Sequence, residues 1–369
     1  MKKLLFIIGT RPEAIKMAPL IIHSKQSGFF DVKVCITGQH KTMLDQVLTF
    51  FEIVPDFDLS LMKEDQTLFD ISSKALKGIE KVYSDYHPDL TLVQGDTTTA
   101  FIGALSSFYK KVKVAHVEAG LRSGNKFSPY PEEINRKLVA VLTDLHFAPT
   151  KKAATNLAIE NIKENVFVVG NTVIDALLWG LKKISTDKSI QKRFNYLDPK
   201  KKLILVTGHR RESFGKPFEQ ICEAIVSIAR KNPDIQLIYP VHLNPNVQRP
   251  VKKVLSDQVN IFLIDPIDYP DMIWLMNKSY FVLTDSGGIQ EEAPSLGKPV
   301  LVMRNVTERT EGVEAGTAIL VGTDKEKIIE ISQKLLDNKL FYSKIANAIN
   351  PYGDGTSSKQ IILILKKLL

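Results

Sequence analysis

The 369-residue sequence has few cysteines and no long apolar run. Its two cysteines, Cys35 and Cys222, cannot build a disulfide framework or a cysteine-rich metal site, and they are typical of a reducing compartment. No stretch of about 18 apolar residues is present, so no membrane-spanning helix is predicted. The short apolar run at residues 4–8 lacks the length and the cleavage site of a secretion signal. We therefore expect a cytoplasmic protein that does not bind a membrane.

The sequence also lacks a concentrated block of one charge sign. Its 49 Lys and Arg residues against 41 Asp and Glu residues give a net charge of +8. The basic residues are scattered in short pairs, whereas a nucleic-acid-binding protein concentrates them and interleaves aromatic residues. We therefore expect no nucleic-acid partner, and a small phosphorylated substrate explains the excess equally well. The composition, 44% hydrophobic and 24% charged, is that of a globular protein with two or three domains.

Short, β-branched apolar runs recur along the chain and are separated by amphipathic segments. Such runs are typical of strands that are buried on both faces of a parallel sheet. The predicted strands lie at residues 4–8, 32–37, 90–93, 112–117, 145–148, 166–169, 203–207, 235–239, 259–264, 280–284, 299–303 and 318–321. Segments 13–24 and 217–231 carry apolar residues on one helical face. This alternation predicts an α/β fold with two Rossmann-like domains facing a cleft.

Two breaks in the pattern suggest where the domains end. A predicted helix at residues 173–184 and a polar connector precede the second group of strands, and a turn-rich segment lies at 350–355. We therefore expect domains at residues 1–170 and 171–353. Residues 354–369 then form a separate amphipathic helix.

Two cations follow the first predicted strand. Arg11 and Lys16 flank a predicted helix N-terminus, where backbone N–H groups and the helix dipole favour a bound anion. The alternative is a capped helix with two solvated cations. Neither a GxGxxG nor a Walker A motif occurs, which disfavours a dinucleotide or P-loop site.

Three acids follow later strands of the first half. Asp96 and Glu118 follow the third and fourth strands, and Glu132 lies in the first turn of the next predicted helix. Each has a structural alternative: an N-cap for Asp96, an ion pair with Arg122 for Glu118, and a favourable dipole interaction for Glu132. Together they place three carboxylates near one sheet edge, where mutual repulsion separates their pKa values and suits acid–base chemistry. His116 with Glu118 supplies too few ligands for a metal site.

The second half carries cations and glycines at its strand ends. His209 and Arg210 follow a predicted strand and can bind phosphate. The segment 286–288 reads Ser-Gly-Gly between a strand and a helix start, so its backbone N–H groups can hold a diphosphate. Glu292, one turn further on, can bind ribose hydroxyls. Arg309 adds a further cation.

Six ordered motifs resemble the non-hydrolysing bacterial UDP-N-acetylglucosamine 2-epimerases. They are residues 9–16, 95–99, 116–122, 131–133, 209–212 and 285–292. The resemblance covers essentially the whole chain. It implies a glycosyltransferase-B type fold with the C-terminal helix crossing back to the first domain, a homodimer, no cofactor, no metal and a role in cell-envelope polysaccharide synthesis. The implied reaction interconverts UDP-GlcNAc and UDP-ManNAc, with catalytic carboxylates on domain 1–170 and UDP bound by domain 171–353.

The expected chemistry is an elimination. Inverting C2 breaks a C–H bond that no carbonyl acidifies, and the sequence shows no dinucleotide fingerprint for a transient oxidation. The remaining route expels UDP, removes the C2 proton to give a 2-acetamidoglucal, and adds UDP back while C2 is protonated from the other face. That route requires an acid and a base beside the sugar and a strong grip on the diphosphate.

The resemblance implies roles for residues at matching positions. The implied catalytic residues are Asp96, Glu118, Glu132 and His209; which carboxylate is the acid and which the base is left open. The implied substrate contacts are Arg11, Lys16, Ile267, Met272, Ser286, Gly287, Gly288, Glu292 and Arg309. Some family members bind a second, activating UDP-GlcNAc, at positions matched here by Gln46, Arg210 and His242. Asp65 stands where those members often have arginine.

Three alternatives remain open at this point. A glycosyltransferase of the same fold would use a similar nucleotide site and an external acceptor, although three acids in the first half favour epimerisation. A hydrolysing epimerase would release ManNAc and UDP, but residues 12–16 differ from the usual motif of those relatives. A sugar-nucleotide sensor would bind the substrate and exchange no proton.

Overall fold

The computed structural model describes residues 1–38, 41–61 and 66–369, without the side chains of residues 41 and 42. This part of the chain forms two compact units. The first unit combines Met1–Trp179 with Tyr352–Leu369, and the second is Gly180–Pro351. The division falls nine residues after the boundary expected from the sequence, because the helix predicted at 173–184 continues across it.

The first unit is built on a parallel sheet with the strand order β3-β2-β1-β4-β5-β6-β7. Its strands are β1 (Lys2–Ile8), β2 (Phe30–Ile36), β3 (Phe57–Asp58), β4 (Leu90–Gln94), β5 (Lys113–Val117), β6 (Leu145–Ala148) and β7 (Val166–Val168). Its helices are α1 (Arg11–Gln26), α2 (Lys41–Phe50), α3 (Leu68–Asp85), α4 (Thr98–Tyr109), α5 (Glu132–Leu142), α6 (Lys151–Ile159) and the start of α7 (Thr172–Ile184).

The second unit repeats the arrangement with the order β10-β9-β8-β11-β12-β13. Its strands are β8 (Lys202–Thr207), β9 (Ile235–Pro240), β10 (Ile261–Ile264), β11 (Phe281–Thr284), β12 (Val300–Val302) and β13 (Ala318–Leu320). Its helices are α8 (Lys188–Arg193), α9 (Lys216–Lys231), α10 (Pro245–Leu255), α11 (Tyr269–Lys278), α12 (Gly287–Glu292), α13 (Thr310–Glu314), α14 (Lys325–Asp337) and α15 (Lys339–Ala346).

The cores follow the predicted pattern. All twelve predicted strands are present, and β3 is a short strand that the sequence pattern did not indicate. The predicted apolar face of α9 is fully buried: Phe218, Ile221, Ile225 and Ile228 pack in the core of the second unit. Strands that are covered by helices on both faces need apolar side chains on both faces, which explains the continuous apolar runs.

The chain returns to the first unit through its last helix, α16 (Ser357–Leu368). This helix packs against α1 and buries Ile361 and Leu365, so it crosses back to the first unit as the family resemblance implied. Asp175 of α7 accepts hydrogen bonds from the backbone N–H groups of Ser357 (3.2 Å) and Ser358 (2.8 Å), which satisfies the N-terminus of α16. No helix of the described ranges combines the length and apolar character required to cross a membrane.

Candidate active site

Glu118 follows β5 directly, and three side chains donate to its carboxylate. Its side chain is buried, and its φ of +66° places the residue in the left-handed region. The Nζ atom of Lys16 lies 2.7 Å from both carboxylate oxygens. The side-chain amides of Gln94 and Asn171 also donate to it, the latter at 3.1 Å. The alternative ion pair with Arg122 does not form, since Arg122 binds Glu160 instead.

Asp96 lies one strand away and is held by a side chain of α5. The guanidinium of Arg136 donates to its Oδ2 from Nε (2.8 Å) and from the Nη2 nitrogen (2.7 Å). The alternative in which Asp96 caps α4 is wrong, because Thr97 is the N-cap and accepts from the N–H of Ala100 at 3.0 Å. The carboxylate of Asp96 is partly exposed, so it remains accessible to a ligand.

Glu132 opens α5 and differs from its neighbour Glu133. Its Oε2 atom is buried and has no hydrogen-bond partner within the described ranges. Glu133 is committed to structure: it accepts from the N–H groups of Ser123 and Gly124 and pairs with Arg136 at 2.9 Å. Burial raises the pKa of Glu133, but these hydrogen bonds outweigh it and hold the pKa below its usual value. Glu132 is therefore the better candidate for proton transfer.

Glu13 is a buried acid that sequence reasoning did not single out. Its carboxylate accepts from the backbone N–H groups of Gly9 (3.1 Å) and Thr10 (2.6 Å) and from the hydroxyl of Thr97 (2.8 Å). Burial raises its pKa to about 7. Glu13 thus ties the loop between β1 and α1 to the loop that follows β4. Glutamate at the third helical position after threonine is a capping-box pattern, which was the available signal.

His116, two residues before Glu118, is a neutral structural group. One ring nitrogen lies 2.7 Å from the carbonyl oxygen of Gly95, and burial lowers the pKa of the imidazole to about 4. Its strand neighbour His146 is also buried, with a pKa lowered to about 4 by burial. A neutral imidazole that donates to Gly95 fixes the turn before Asp96.

In the second unit, Asp285 organises the residues that follow β8. Its Oδ2 accepts from the backbone N–H groups of His209 (2.7 Å) and Arg210 (2.8 Å). The Nδ1 atom of His209 lies 3.4 Å from the other carboxylate oxygen, and its ring stacks on that of His242 with centroids 5.4 Å apart. Burial lowers the pKa of His209, while the charge of Asp285 opposes this shift. The Nε atom of Arg210 is buried without a partner among the residues described.

The Ser-Gly-Gly segment begins α12, as the sequence indicated. Ser286 is the N-cap, and its N–H donates to the hydroxyl of Thr284 at 3.0 Å. A Cβ atom on Gly287 would lie 3.3 Å from the guanidinium carbon of Arg309, so glycine permits a close approach of that cation. Arg309 is in turn held by Glu291 at 2.8 Å. These groups place N–H donors and a cation at the end of β11.

The remaining predicted substrate contacts are buried or half-buried, three in the second unit and Arg11 in the first. Glu292 accepts from the hydroxyl of Tyr269 at 2.8 Å. Ile267 and Met272 are half-buried and flank Asp268, which caps α11. Arg11 is half-buried at the start of α1.

Of the predicted activator positions, Gln46 lies exposed on α2 and His242 is exposed in the second unit. Asp65, and also His40, lie outside the residues that the structure describes. The catalytic, substrate-binding and activator roles of all these residues stay predictions.

The fold and the site together define the class of protein. Two parallel Rossmann-like sheets, one with clustered acids and the other with cations and an N–H-rich helix start at the strand ends, define an α/β enzyme of the nucleotide-sugar type. The family model described as UDP-N-acetylglucosamine 2-epimerase matches residues 23–366, and the chain belongs to this family. It is therefore an isomerase of the epimerase type.

Individual relatives agree over their full length. The chain is 55% identical to the UDP-N-acetylglucosamine 2-epimerase of Campylobacter jejuni, with 99% of this chain and 98% of the relative covered. It is 52% identical to the enzyme of the same name from Escherichia coli K12 at the same coverage. The crystal structure of UDP-GlcNAc 2-epimerase from Neisseria meningitidis bound to UDP-GlcNAc is 48% identical and superposes with a TM-score of 0.92, covering 99% of this chain and 100% of that one.

Proposed function

We propose that the chain interconverts UDP-GlcNAc and UDP-ManNAc by eliminating UDP and adding it back, without releasing free sugar. The relative from Neisseria meningitidis was crystallised with UDP-GlcNAc, which supports this nucleotide sugar as the substrate. The observation that carries the proposal is the set of carboxylates in the first unit. Asp96, Glu118 and Glu132 follow β4, follow β5 and open α5, and Lys16 and Arg136 hold two of them.

The acids of the first unit perform the proton transfers in this scheme. One carboxylate accepts the C2 proton while the C1–O bond to UDP breaks and a C1–C2 double bond forms. In the return step, UDP attacks C1 and a second group protonates C2 on the opposite face, so the proton count is unchanged over the cycle. One positioned acid or base contributes about 10²–10⁴-fold in rate, so each of these carboxylates matters greatly.

The second unit binds the leaving group. A departing diphosphate develops negative charge, which preoriented N–H donors and cations stabilise. Gly287 and Gly288 supply backbone N–H groups in the first turn of α12, and Arg309 supplies a positive charge beside them. Asp285 fixes the backbone of His209, so this imidazole is held ready for the substrate.

Proton NMR of the protein with UDP-GlcNAc in D₂O, with no added nucleotide cofactor, tests the proposal. Deuterium incorporation at C2 together with accumulation of UDP-ManNAc is the expected result. Free ManNAc and UDP would instead identify a hydrolysing enzyme. Absence of exchange with this and related UDP-sugars would favour the transferase or sensor alternatives.

The outer surface of the first unit supports the expected homodimer. Helix α4 packs against both α3 and α5, and the exposed apolar side chains Phe108 and Val141 lie in the last turns of the adjacent helices α4 and α5. Exposed large apolar side chains on adjacent helices are typical of a surface that is covered in an assembly. Light scattering should give twice the monomer mass, and Val141→Glu should shift it toward the monomer. The matched control is Val259→Glu, at an exposed position in the second unit.

A further inference from the structure

The geometry points to Gln94 and Asn171 as positioning residues for Glu118, with the returning C-terminal segment holding Asn171 in place. The inference deepens the proposed function and rests on it, because it matters for catalysis only if Glu118 transfers a proton. Neither residue belongs to the motifs that suggested the site.

The two amides approach Glu118 from different elements. Gln94 is the last residue of β4, Asn171 precedes α7, and both are 2% exposed. Each donates an N–H to a different oxygen of the carboxylate, while Lys16 contacts both oxygens. Because N–H donors stabilise the ionised form and fix the plane of the carboxylate, the set favours a charged, oriented Glu118.

Glu118 also needs these hydrogen-bond donors because of its backbone conformation. A glutamate with φ of +66° occupies a conformation that is costly for a residue with a side chain, and such residues persist only when their surroundings hold them. The three donors reach the end of the side chain, and the following N–H, of Ala119, donates to the carbonyl of Phe147 at 3.0 Å. Both ends of the residue are therefore fixed.

Asn171 is itself fixed by the C-terminal segment. Its backbone N–H donates to the carbonyl of Tyr352 at 2.7 Å, and its side-chain oxygen accepts from the N–H of Val173 at 3.1 Å. Next to this contact, a Cβ atom on Gly170 would lie 3.3 Å from both the carbonyl oxygen of Tyr352 and the Cα atom of Gly353, and the φ of Gly353 is +126°. The close glycine pair allows Tyr352 to reach Asn171. The segment that ends in α16 thus supports the orientation of Glu118.

The test removes each donor and follows the pH profile of turnover. Asn171→Ala and Gln94→Leu should lower kcat about 10- to 100-fold, as expected for losing a hydrogen bond to a charged group, with little change in KM. The acidic limb of the kcat profile should move to higher pH, because a carboxylate with fewer donors is protonated more easily. The titratable groups that the described residues bring to Glu118 include Lys16 from α1 and His116 from its own strand, and neither variant changes them.

Two further variants and one control variant keep the test decisive. Asn171→Asp preserves the shape of the side chain, places a like charge beside Glu118, and should lower kcat more than Asn171→Ala; it decides the matter if the alanine variant does not fold. Gly353→Ala should shift the pH limb in the same direction by displacing Tyr352. Asn260→Ala removes a half-buried amide that donates to the carbonyl of Ala229 in the second unit, and it should leave the pH limb in place.

The outcomes separate this inference from the proposed function. The positioning role would be overturned if the wild-type protein exchanges the C2 proton but the acidic limb of the kcat profile stays in place in Asn171→Ala and Gln94→Leu. An equal loss of kcat in Asn260→Ala would also overturn it, because the effect would then be general destabilisation. Failure of the wild-type protein to exchange C2 would instead reject the proposed function.

Discussion

The two units share the same strand connectivity, and each has an aspartate after the corresponding strand. The two aspartates differ in their exposure and in the groups that they bind. Asp96 follows β4 and Asp285 follows β11, the strands that lie beside the first strand of each sheet. Asp96 is partly exposed and is held by the side chain of Arg136. Asp285 is buried and accepts the backbone N–H groups of His209 and Arg210. The two units share a fold. The loops after the strands determine whether a carboxylate is accessible to a ligand or holds backbone N–H groups.

The difference extends to the neighbouring loop of each unit. In the first unit, Glu13 holds the N–H groups of Gly9 and Thr10 from within α1. In the second unit, the corresponding loop after β8 is held by Asp285 from the neighbouring strand end. Because the first unit supports this loop locally, Asp96 is not needed to hold it. In the second unit Asp285 is used for that purpose, so the proposed chemistry there depends on cations and backbone N–H groups.

The largest expected effect comes from removing single acids of the first unit. Asp96→Asn, Glu118→Gln and Glu132→Gln should each reduce C2 deuterium exchange by about 10²–10⁴-fold. Calorimetry should show nearly unchanged UDP affinity. Glu160→Gln, which changes an acid paired with Arg122, is the matched control. Near-normal turnover in all three variants would show that the acids of the first unit do not perform the proton transfers.

Asp285→Ala tests whether the aspartate of the second unit holds the loop after β8. Two partly buried N–H groups lose their acceptor, which costs up to about 1–3 kcal/mol for each group left unsatisfied. We expect UDP affinity to fall about 10- to 100-fold and the thermal midpoint to drop, both measured on the purified variant. Asp96→Ala should leave UDP affinity nearly unchanged. Equal losses of affinity in the two variants would contradict the assigned division of roles.

The free energy of unfolding should fall at acidic pH partly because of the buried imidazoles of the first unit. The folded pKa of His116, about 4, lies below the ordinary value of 6.5, so the unfolded state binds a proton first as pH falls. Its contribution to stability is complete above pH 6.5 and is lost progressively toward pH 4. By pH 5 the loss is about 2 kcal/mol.

His116→Gln can keep the hydrogen bond to Gly95 while removing the titration. Its unfolding free energy should therefore fall less between pH 7 and pH 5 than that of the wild-type protein. The two tryptophans separate the units: Trp179 packs on Phe51 in the first and Trp274 stacks on Phe194 in the second. Fluorescence of a Trp274→Phe background then reports the first unit. An unchanged pH dependence would reject the assignment.

The smallest effect concerns activation by the substrate itself. If Gln46, Arg210 and His242 form a second nucleotide site, the rate in UDP-ManNAc should be sigmoidal and become hyperbolic with trace UDP-GlcNAc. Gln46→Ala should weaken that response while leaving turnover at saturation near the wild-type level. A hyperbolic curve for the wild-type protein without added UDP-GlcNAc would reject activation.

The sheet and its helices could be predicted because their signals are local. Central strands such as β8 are buried on both faces, so apolar runs such as residues 203–207 appear directly in the sequence. The exception is β3, whose two half-exposed residues give no such run. The acids of the first unit also have a local signal, since each follows a strand or opens a helix.

The support of those acids could not be predicted, since it depends on tertiary contacts. Gln94 and Asn171 lie far apart in the sequence, and only the folded first unit brings both amides to Glu118. The pairing of Asp96 with Arg136 likewise joins residues on different elements. A buried polar residue at a strand end, such as Gln94, was the one available hint.

The discontinuous first unit has a consequence for synthesis on the ribosome. Its last segment, Tyr352–Leu369, is made only after the whole second unit has been translated. At about 5–20 residues per second, residues 1–179 wait on the order of 10–35 s for α16 and for the carbonyl of Tyr352. During that interval the face of α1 that later packs on α16 remains uncovered by it. The nascent first unit therefore offers an apolar surface to chaperones until the final helix emerges.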